Sequence, residues 1–226
     1  SSFMKTLLPA IFVTMVLAAC TSTINTTGEA KAKLQSHKTI AILPFEVRFD
    51  LRSKNQKQFS QKELAEVRQF MATGLQEHLY HWLISYSRKK PLSVGIQNID
   101  ITDSILSEKQ IRFMDLYKMS RVELANILEV DAVLTPNVIF AQPHSEGASV
   151  AFMIGLGTME GLATQEMRMQ VSLNDNTSET PFWTFKTKTQ SDGVTKPSKN
   201  KKKENILYPL FRNIDQSLIK FIKKFP

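Results

Sequence analysis

Lys38-Thr39-Ile40-Ala41-Ile42-Leu43-Pro44-Phe45 is a continuous apolar run rich in β-branched residues and closed by a proline. Such a run lacks the polar alternation of a half-exposed strand, so it reads as a first strand buried on both faces, central in a parallel sheet. The next element outward is the strongest in the chain. From Ser60 to about Ser87, Leu64, Val67, Met71, Leu75, Leu79, Trp82 and Tyr86 recur at three- and four-residue steps, and Ser60 and Glu63 have capping-box spacing. Arg88-Lys89-Lys90 stands where cations favour a helix C-terminus, and Pro91 ends the helix. Leu92-Ser93-Val94-Gly95-Ile96 then reads as a second strand, parallel to the first if the helix is a crossover.

Asp50 to Phe59 is polar and basic, and reads as a loop. Past Ile101 a helix is expected over Ser107 to Tyr117, and a clearer one starts at Ser120, with Glu123 completing a second capping box and Leu124, Ile127 and Leu128 forming the apolar face. It leads directly into the strand Val130-Asp131-Ala132-Val133-Leu134, which Pro136 is expected to break before Val138, Ile139 and Phe140. Glu166 to Asn174 and Pro181 to Thr189 each alternate bulky apolar with polar residues around the turn-rich Asn174-Asp175-Asn176-Thr177-Ser178, which predicts an antiparallel hairpin. Gln190 to Glu204 is a lysine-rich loop, and Ile206, Leu207, Leu210, Phe211, Ile214, Leu218, Phe221 and Ile222 mark a closing amphipathic helix. The expected fold class is α/β: a mixed sheet with parallel strands joined by helices, plus an antiparallel C-terminal hairpin.

The start of the chain sets the compartment. From Met4 there is one early cation, Lys5, then an uncharged apolar stretch from Leu7 to Val16, then Leu17-Ala18-Ala19-Cys20. This is the layout of a signal peptide. The apolar stretch is roughly half of the twenty or so residues a spanning helix needs. Small residues before a lone cysteine resemble the lipobox of bacterial lipoproteins. That resemblance implies a signal peptide over 1–19, removal of that segment, and acylation of Cys20 on sulfur (palmitate is a typical chain) and on its new amine. Two or three acyl chains anchor stably where one does not. Residues 20–37 are expected to be the acylated cysteine and a flexible tether, because Thr21 to Gln35 is rich in Thr, Ser, Ala and Lys and shows no apolar period. Residues 38–226 form the expected single domain. Thr21 is not aspartate, which under enterobacterial-type sorting favours the outer membrane, with the domain on the periplasmic face.

The net charge of +8 would suggest nucleic acid in a cytosolic protein, but export removes that partner. Membrane lipid through acylated Cys20 and an envelope protein partner or homo-oligomer remain. Anionic lipid contact is a further candidate for Lys199, Lys201, Lys202 and Lys203, as for Lys220, Lys223 and Lys224.

The order strand with terminal proline, helix, strand, helix, strand, hairpin resembles the GNA-type neisserial lipoprotein family of unknown function. More distantly it resembles the N-terminal domain of TolB and the curli-secretion lipoprotein family. Ile40 to Phe45, the joint from Glu123 to Leu134, and Pro181-Phe182-Trp183 carry the likeness, which covers most of Lys38 to Gly193. It implies a TolB N-terminal-domain-like fold and a non-catalytic adaptor or assembly role in an envelope secretion, transport or cell-wall complex. The alternative it implies is a subunit of an oligomeric outer-membrane secretion pore. Glu129-Val130 stands in place of the glycine usual before Asp-Ala. Ser149 to Gly157 alternates Val150, Phe152, Ile154 and Leu156 against smaller residues, which fits a lipid-facing barrel strand or a strand packed on a helix.

The search for chemistry returns no catalytic set, cofactor or metal site. His78 and His81 lie three apart beside Glu77 without a third ligand, which fits helix-surface histidines better than a metal site. Gly155-Leu156-Gly157 with Gly161 is a poor dinucleotide loop, and His144-Ser145-Glu146 are neighbours only in sequence. The lipidation reading is checked directly: Cys20→Ala should abolish metabolic fatty-acid labelling and release the domain from the membrane fraction, and retained labelling would refute it.

Overall fold

The apolar run 39–42 becomes a strand, but the middle of the sheet is the strand beside it. The computed structural model describes residues 22–26, 29–50, 60–141, 166–190 and 208–226. Seven strands form one mixed sheet: β1 (Ser22–Thr26), β2 (Thr39–Ile42), β3 (Glu46–Asp50), β4 (Gly95–Ile96), β5 (Ala132–Ala141), β6 (Glu166–Asp175) and β7 (Trp183–Gln190). Their order is β1-β7-β6-β5-β2-β4, with β3 also paired to β5. Pairs β2–β4, β2–β5 and β3–β5 are parallel; β5–β6, β6–β7 and β1–β7 are antiparallel. The helices are α1 (Ala30–Ser36), α2 (Gln61–Lys89), α3 (Ile99–Glu108), α4 (Phe113–Leu116), α5 (Arg121–Ile127) and α6 (Tyr208–Lys224). The α/β fold class, the parallel pair around the long helix and the C-terminal hairpin are all present.

Period-2 alternation sends the two sets of strand side chains to different covers. Ile40, Ile42, Leu134, Val138, Phe140, Met169, Val171, Leu173, Trp183 and Phe185 pack under α2 and α6. Ala41, Leu43 and Val133 pack on the other face under Leu106, Leu116, Leu124 and Leu128 of the α3–α5 layer. Trp183, Phe185, Phe221 and Phe225 form an aromatic cluster with centroids 5.5–6.4 Å apart, joining β7 to α6. Asp215 of α6 accepts the indole N–H of Trp82 at 3.2 Å and lies 2.6 Å from His78 Nε2, tying α6 to α2. The Ser60–Glu63 capping box is complete: Glu63 N–H donates to Ser60 Oγ at 3.2 Å, and Ser60 N–H to Glu63 Oε2 at 2.8 Å.

Four expectations need correction. Residues 22–26 and 30–36 do not form a flexible tether: β1 pairs with β7, and α1 buries Ala30 and Leu34 in the main core. Of the helix expected over 107–117 only the turn Phe113–Leu116 forms, and a longer helix precedes it over Ile99–Glu108, where Asn98 caps the start by accepting from Asp100 N–H at 2.9 Å. The strand expected over 92–96 shortens to Gly95–Ile96. Pro136 does not break its strand, since β5 runs unbroken for ten residues. Leu134 C=O accepts from Leu43 N–H, so that edge of β5 faces β2; two residues on, the Pro136 nitrogen faces the same edge, between the end of β2 at Ile42 and the start of β3 at Glu46. No ladder donor is lost there.

Helix α5 ends in a Schellman motif: Val130 N–H donates to Ala125 C=O at 3.0 Å, Glu129 N–H to Asn126 C=O at 3.2 Å, and Glu129 sits at φ 55°. Glu129 is one of the pair Glu129-Val130 where the resemblance expects glycine, and its left-handed conformation is one that glycine adopts without cost. Glu129→Gly should therefore raise stability by about 0.5–1 kcal/mol. The check is a higher urea midpoint at unchanged slope; a lower midpoint would contradict the strain.

Candidate functional site

Among the described residues, only half of the second face of the sheet is covered. The α3–α5 layer lies over Ala41, Leu43 and Val133, and the strands then continue with polar residues on that face. The register aligns Thr135, Ser172 and Thr184 in one cross-strand row, and Glu46, Asn137, Gln170 and Lys186 in the next. Thr184, Ser172 and Asn174 are buried although polar. Ser172 and Thr184 satisfy each other, hydroxyl to hydroxyl, at 3.1 Å.

A cleft of about 230 Å³ opens where the covered and open halves meet, at the gap between β2 and β3. Its form follows from the backbone. After Leu43 the chain swings off the sheet at Pro44, Phe45 N–H donates to Ala72 C=O of α2 at 3.2 Å, and β3 rejoins opposite Asn137. Tyr117, just after α4, closes one wall by donating its hydroxyl to Phe45 C=O at 2.6 Å. Burial, with the Glu46 charge nearby, pushes the Tyr117 phenol well above its ordinary range, against the opposing effect of Arg121. It is held protonated and is a donor, not a base.

Glu179, from the β6–β7 turn, forms the other wall. Its carboxylate takes the Ser120 hydroxyl, Arg121 N–H at 3.0 Å and Val122 N–H at 3.3 Å, and these bonds, the Ser120 hydroxyl first, hold it below the usual carboxylate range. The expected Ser120–Glu123 box is therefore half made. Glu123 N–H donates to Ser120 Oγ at 3.1 Å, but the carboxylate at the helix start comes from Glu179. Asn174 donates to Glu179 C=O at 2.9 Å, fixing the turn to the sheet. Gln170 gives an amide N–H to Ser172 at 3.3 Å and Asn137 one to Glu46 at 3.4 Å; both side-chain carbonyls are left without a donor among the described residues. The cleft offers amides, hydroxyls, the carboxylates of Glu46 and Glu179 and the Arg121 guanidinium on a fixed frame. No imidazole lies among its described lining residues, and the Ser172 hydroxyl is paired with that of Thr184. Hydrogen-bond recognition is the chemistry such groups perform.

The residues singled out from sequence fall elsewhere. Cys20, His144, Ser149 to Gly157, and Lys199, Lys201, Lys202 and Lys203 lie outside the described residues. His78 meets Asp215, whereas His81 meets Glu77 at 3.6 Å, so the two histidines have separate partners. Among the described residues no group of three or more side chains is placed to hold a metal ion, and no helix is long and apolar enough to cross a membrane. Lys223 and Lys224 are exposed at the end of α6. The cleft residues had one sequence signal, the polar members at 135, 137, 170, 172 and 174 in otherwise apolar strands; Tyr117 and Glu179 had none.

The sequence matches no protein-family model and no curated protein. Among solved structures, the chain is similar to lipoprotein GNA1162 from Neisseria meningitidis, at 11% identity and TM-score 0.36, covering 83% of this chain and 97% of that one. It is similar to a PelC dodecamer from Paraburkholderia phytofirmans, at 10% identity and TM-score 0.35, covering 76% and 83%. It is similar to the LpoB C-terminal domain from Salmonella enterica, at 8% identity and TM-score 0.34, covering 68% and 83%. A neisserial lipoprotein, the kind the sequence resembles, is thus among the structural neighbours, and the likeness is one of outline.

Tyr117 gives the site a measurable pH signature. Its folded-state value is raised above the unfolded one, so its contribution to stability is whole below about pH 10 and is lost as the pH rises further. Tyr117→Phe should cost about 1 kcal/mol at neutral pH. It should also flatten the fall of the urea midpoint between pH 8 and pH 11; an unchanged alkaline slope would contradict the burial of this phenol.

Proposed function

We propose that this chain is a membrane-anchored, periplasm-facing lipoprotein that serves as a non-catalytic adaptor or assembly factor for an envelope secretion, transport or cell-wall complex. Cys20 carries the lipid, and the open half of the sheet carries the partner. The observation that supports this best is a polar sheet face, half uncovered among the described residues, with an amide- and hydroxyl-lined cleft in a domain whose lone cysteine ends a short apolar leader. Thr135, Asn137 and Gln170 stand on β5 and β6, which pair along ten residues, so they meet a partner pre-positioned and at little cost in ordering. A face of this polarity suits a wet, hydrogen-bonded protein contact. Thr21 after the acylated cysteine favours the outer membrane.

Affinity capture of the acylated protein from detergent-solubilised membranes tests the reading. The wild type and the control variant Gln69→Arg, altered on the exposed side of α2, should return the same envelope protein. Gln170→Arg, which places a charge and bulk in the cleft, should reduce that recovery at least tenfold while leaving the thermal midpoint within a few degrees. Recovery of the bait alone, or equal recovery with Gln170→Arg, would overturn it.

A further inference from the structure

The first strand fixes how the anchored domain sits. β1 begins at Ser22, two residues after Cys20, and its register places Ser22 opposite Thr187 and Thr23 opposite Lys186. At about 3.3–3.6 Å per residue, the chain from Cys20 to Ser22 spans at most about 7 Å, whereas a free tether of fifteen residues would span up to about 50 Å. Acyl chains hold the backbone of their cysteine at the headgroup level. The part of the fold around Ser22 is therefore kept within one side-chain length of the lipid.

That part is one end of the whole sheet. Following the register from Lys188, the next residues across are Arg168, Ile139 and Arg48, and the row beyond is Gln190, Glu166, Ala141 and Asp50. β3, β5 and β7 all stop at this end and β6 starts there. The β6–β7 turn, α1 and the start of β5 lie at the opposite end, about 30 Å away along the ten residues of β6. The near end is charged. Glu166 takes Arg168 at 2.5 Å and Lys188 at 2.6 Å, Arg48 pairs with Glu46 at 2.5 Å, and Lys186 is exposed. Of the exposed large apolar side chains, Ile24 stands in the middle of β1 and is only about one-third exposed, while Phe70, Ile101, Met114 and Ile219 lie on helices. An end built of paired cations and carboxylates suits the phosphate and amine groups of a headgroup layer and not the acyl region.

Resting on the reading that Cys20 is acylated, we infer that the sheet end bearing Arg48, Arg168, Lys186 and Lys188 lies against the phospholipid headgroups, with the β6–β7 turn as the end farthest from the bilayer. The cleft then lies within about 30 Å of the membrane surface. The adaptor works close to its own membrane and does not reach across the periplasm on a leash.

The test uses the full acylated protein in vesicles of phosphatidylethanolamine and phosphatidylglycerol with a headgroup spin-labelled lipid as quencher. A fluorophore is attached at Lys186→Cys or, separately, at Thr180→Cys in the distant turn; both sites are exposed. Quenching should be at least threefold stronger at 186 than at 180, and Thr23→Cys, across the ladder from 186, should repeat the result. Insertion of ten Gly/Ser residues between Thr21 and Ser22 should cut the quenching at 186 at least twofold. Equal quenching at the two ends, or stronger quenching at 180, overturns the orientation. Fatty-acid labelling of the same samples separates the two ideas: unlabelled protein removes the anchor and the orientation together, whereas labelled protein quenched at the far end removes the orientation alone.

Discussion

The ladder of β5 is the constraint on which the other elements depend. β6 pairs with it along all ten residues, and on its other edge β2 takes the first part and β3 the second. A strand with neighbours on both edges leaves no place for a residue without an amide hydrogen, unless one edge is briefly vacant. Pro136 and the excursion through Pro44 and Phe45 meet that condition together. The same vacancy opens the cleft, so the site and the topology share one origin. The cleft is accordingly rigid: its floor is sheet, and its walls are a tyrosine bound to backbone and a carboxylate bound to a helix start.

The amino-terminal segment is held by polar contacts at the far end of the sheet. Lys33 of α1 pairs with Asp175, which is buried, and lies 5.4 Å above the ring of Phe182. Burial pushes the Asp175 carboxyl up, but Lys33 and the Thr177 hydrogen bonds outweigh it and leave it below its ordinary value. Close by, Asp131 accepts Lys38 N–H at 2.7 Å and Thr39 N–H at 2.9 Å, which depresses its pKa as well. Both carboxylates add stability at neutral pH that is lost in acid, below about pH 4. β1 adds backbone hydrogen bonds to β7 and almost no apolar burial. These contacts build residues 22–26 and 30–36 into the fold, where the sequence suggested a leash.

Legibility followed the physical origin of each element. β2, α2, β5 and the β6–β7 hairpin declared themselves because burial against the core imposes a period on their sequence. β1 and α1 did not, since Ser22-Thr23-Ile24-Asn25-Thr26 gains its place from an edge ladder and α1 contributes only Ala30 and Leu34 to the core. β3 was passed over because Glu46-Val47-Arg48-Phe49-Asp50 follows a proline and buries a single residue fully. The cap by Glu179 was invisible because its partners lie nearly sixty residues earlier, and nothing local marks such a contact.

By itself the sequence determined the fold class, the long helix with its cap, the hairpin, and the lipobox-like position of Cys20. Each is a local pattern: a period, a cap spacing, or a short motif. Only the tertiary structure decided that residues 22–26 and 30–36 join the fold, that Pro136 sits harmlessly at a vacancy, that half of one sheet face is open among the described residues, and that β1 begins toward the charged end. Those are matters of which strand lies beside which, and pairing between distant segments leaves no imprint on the residues in sequence order.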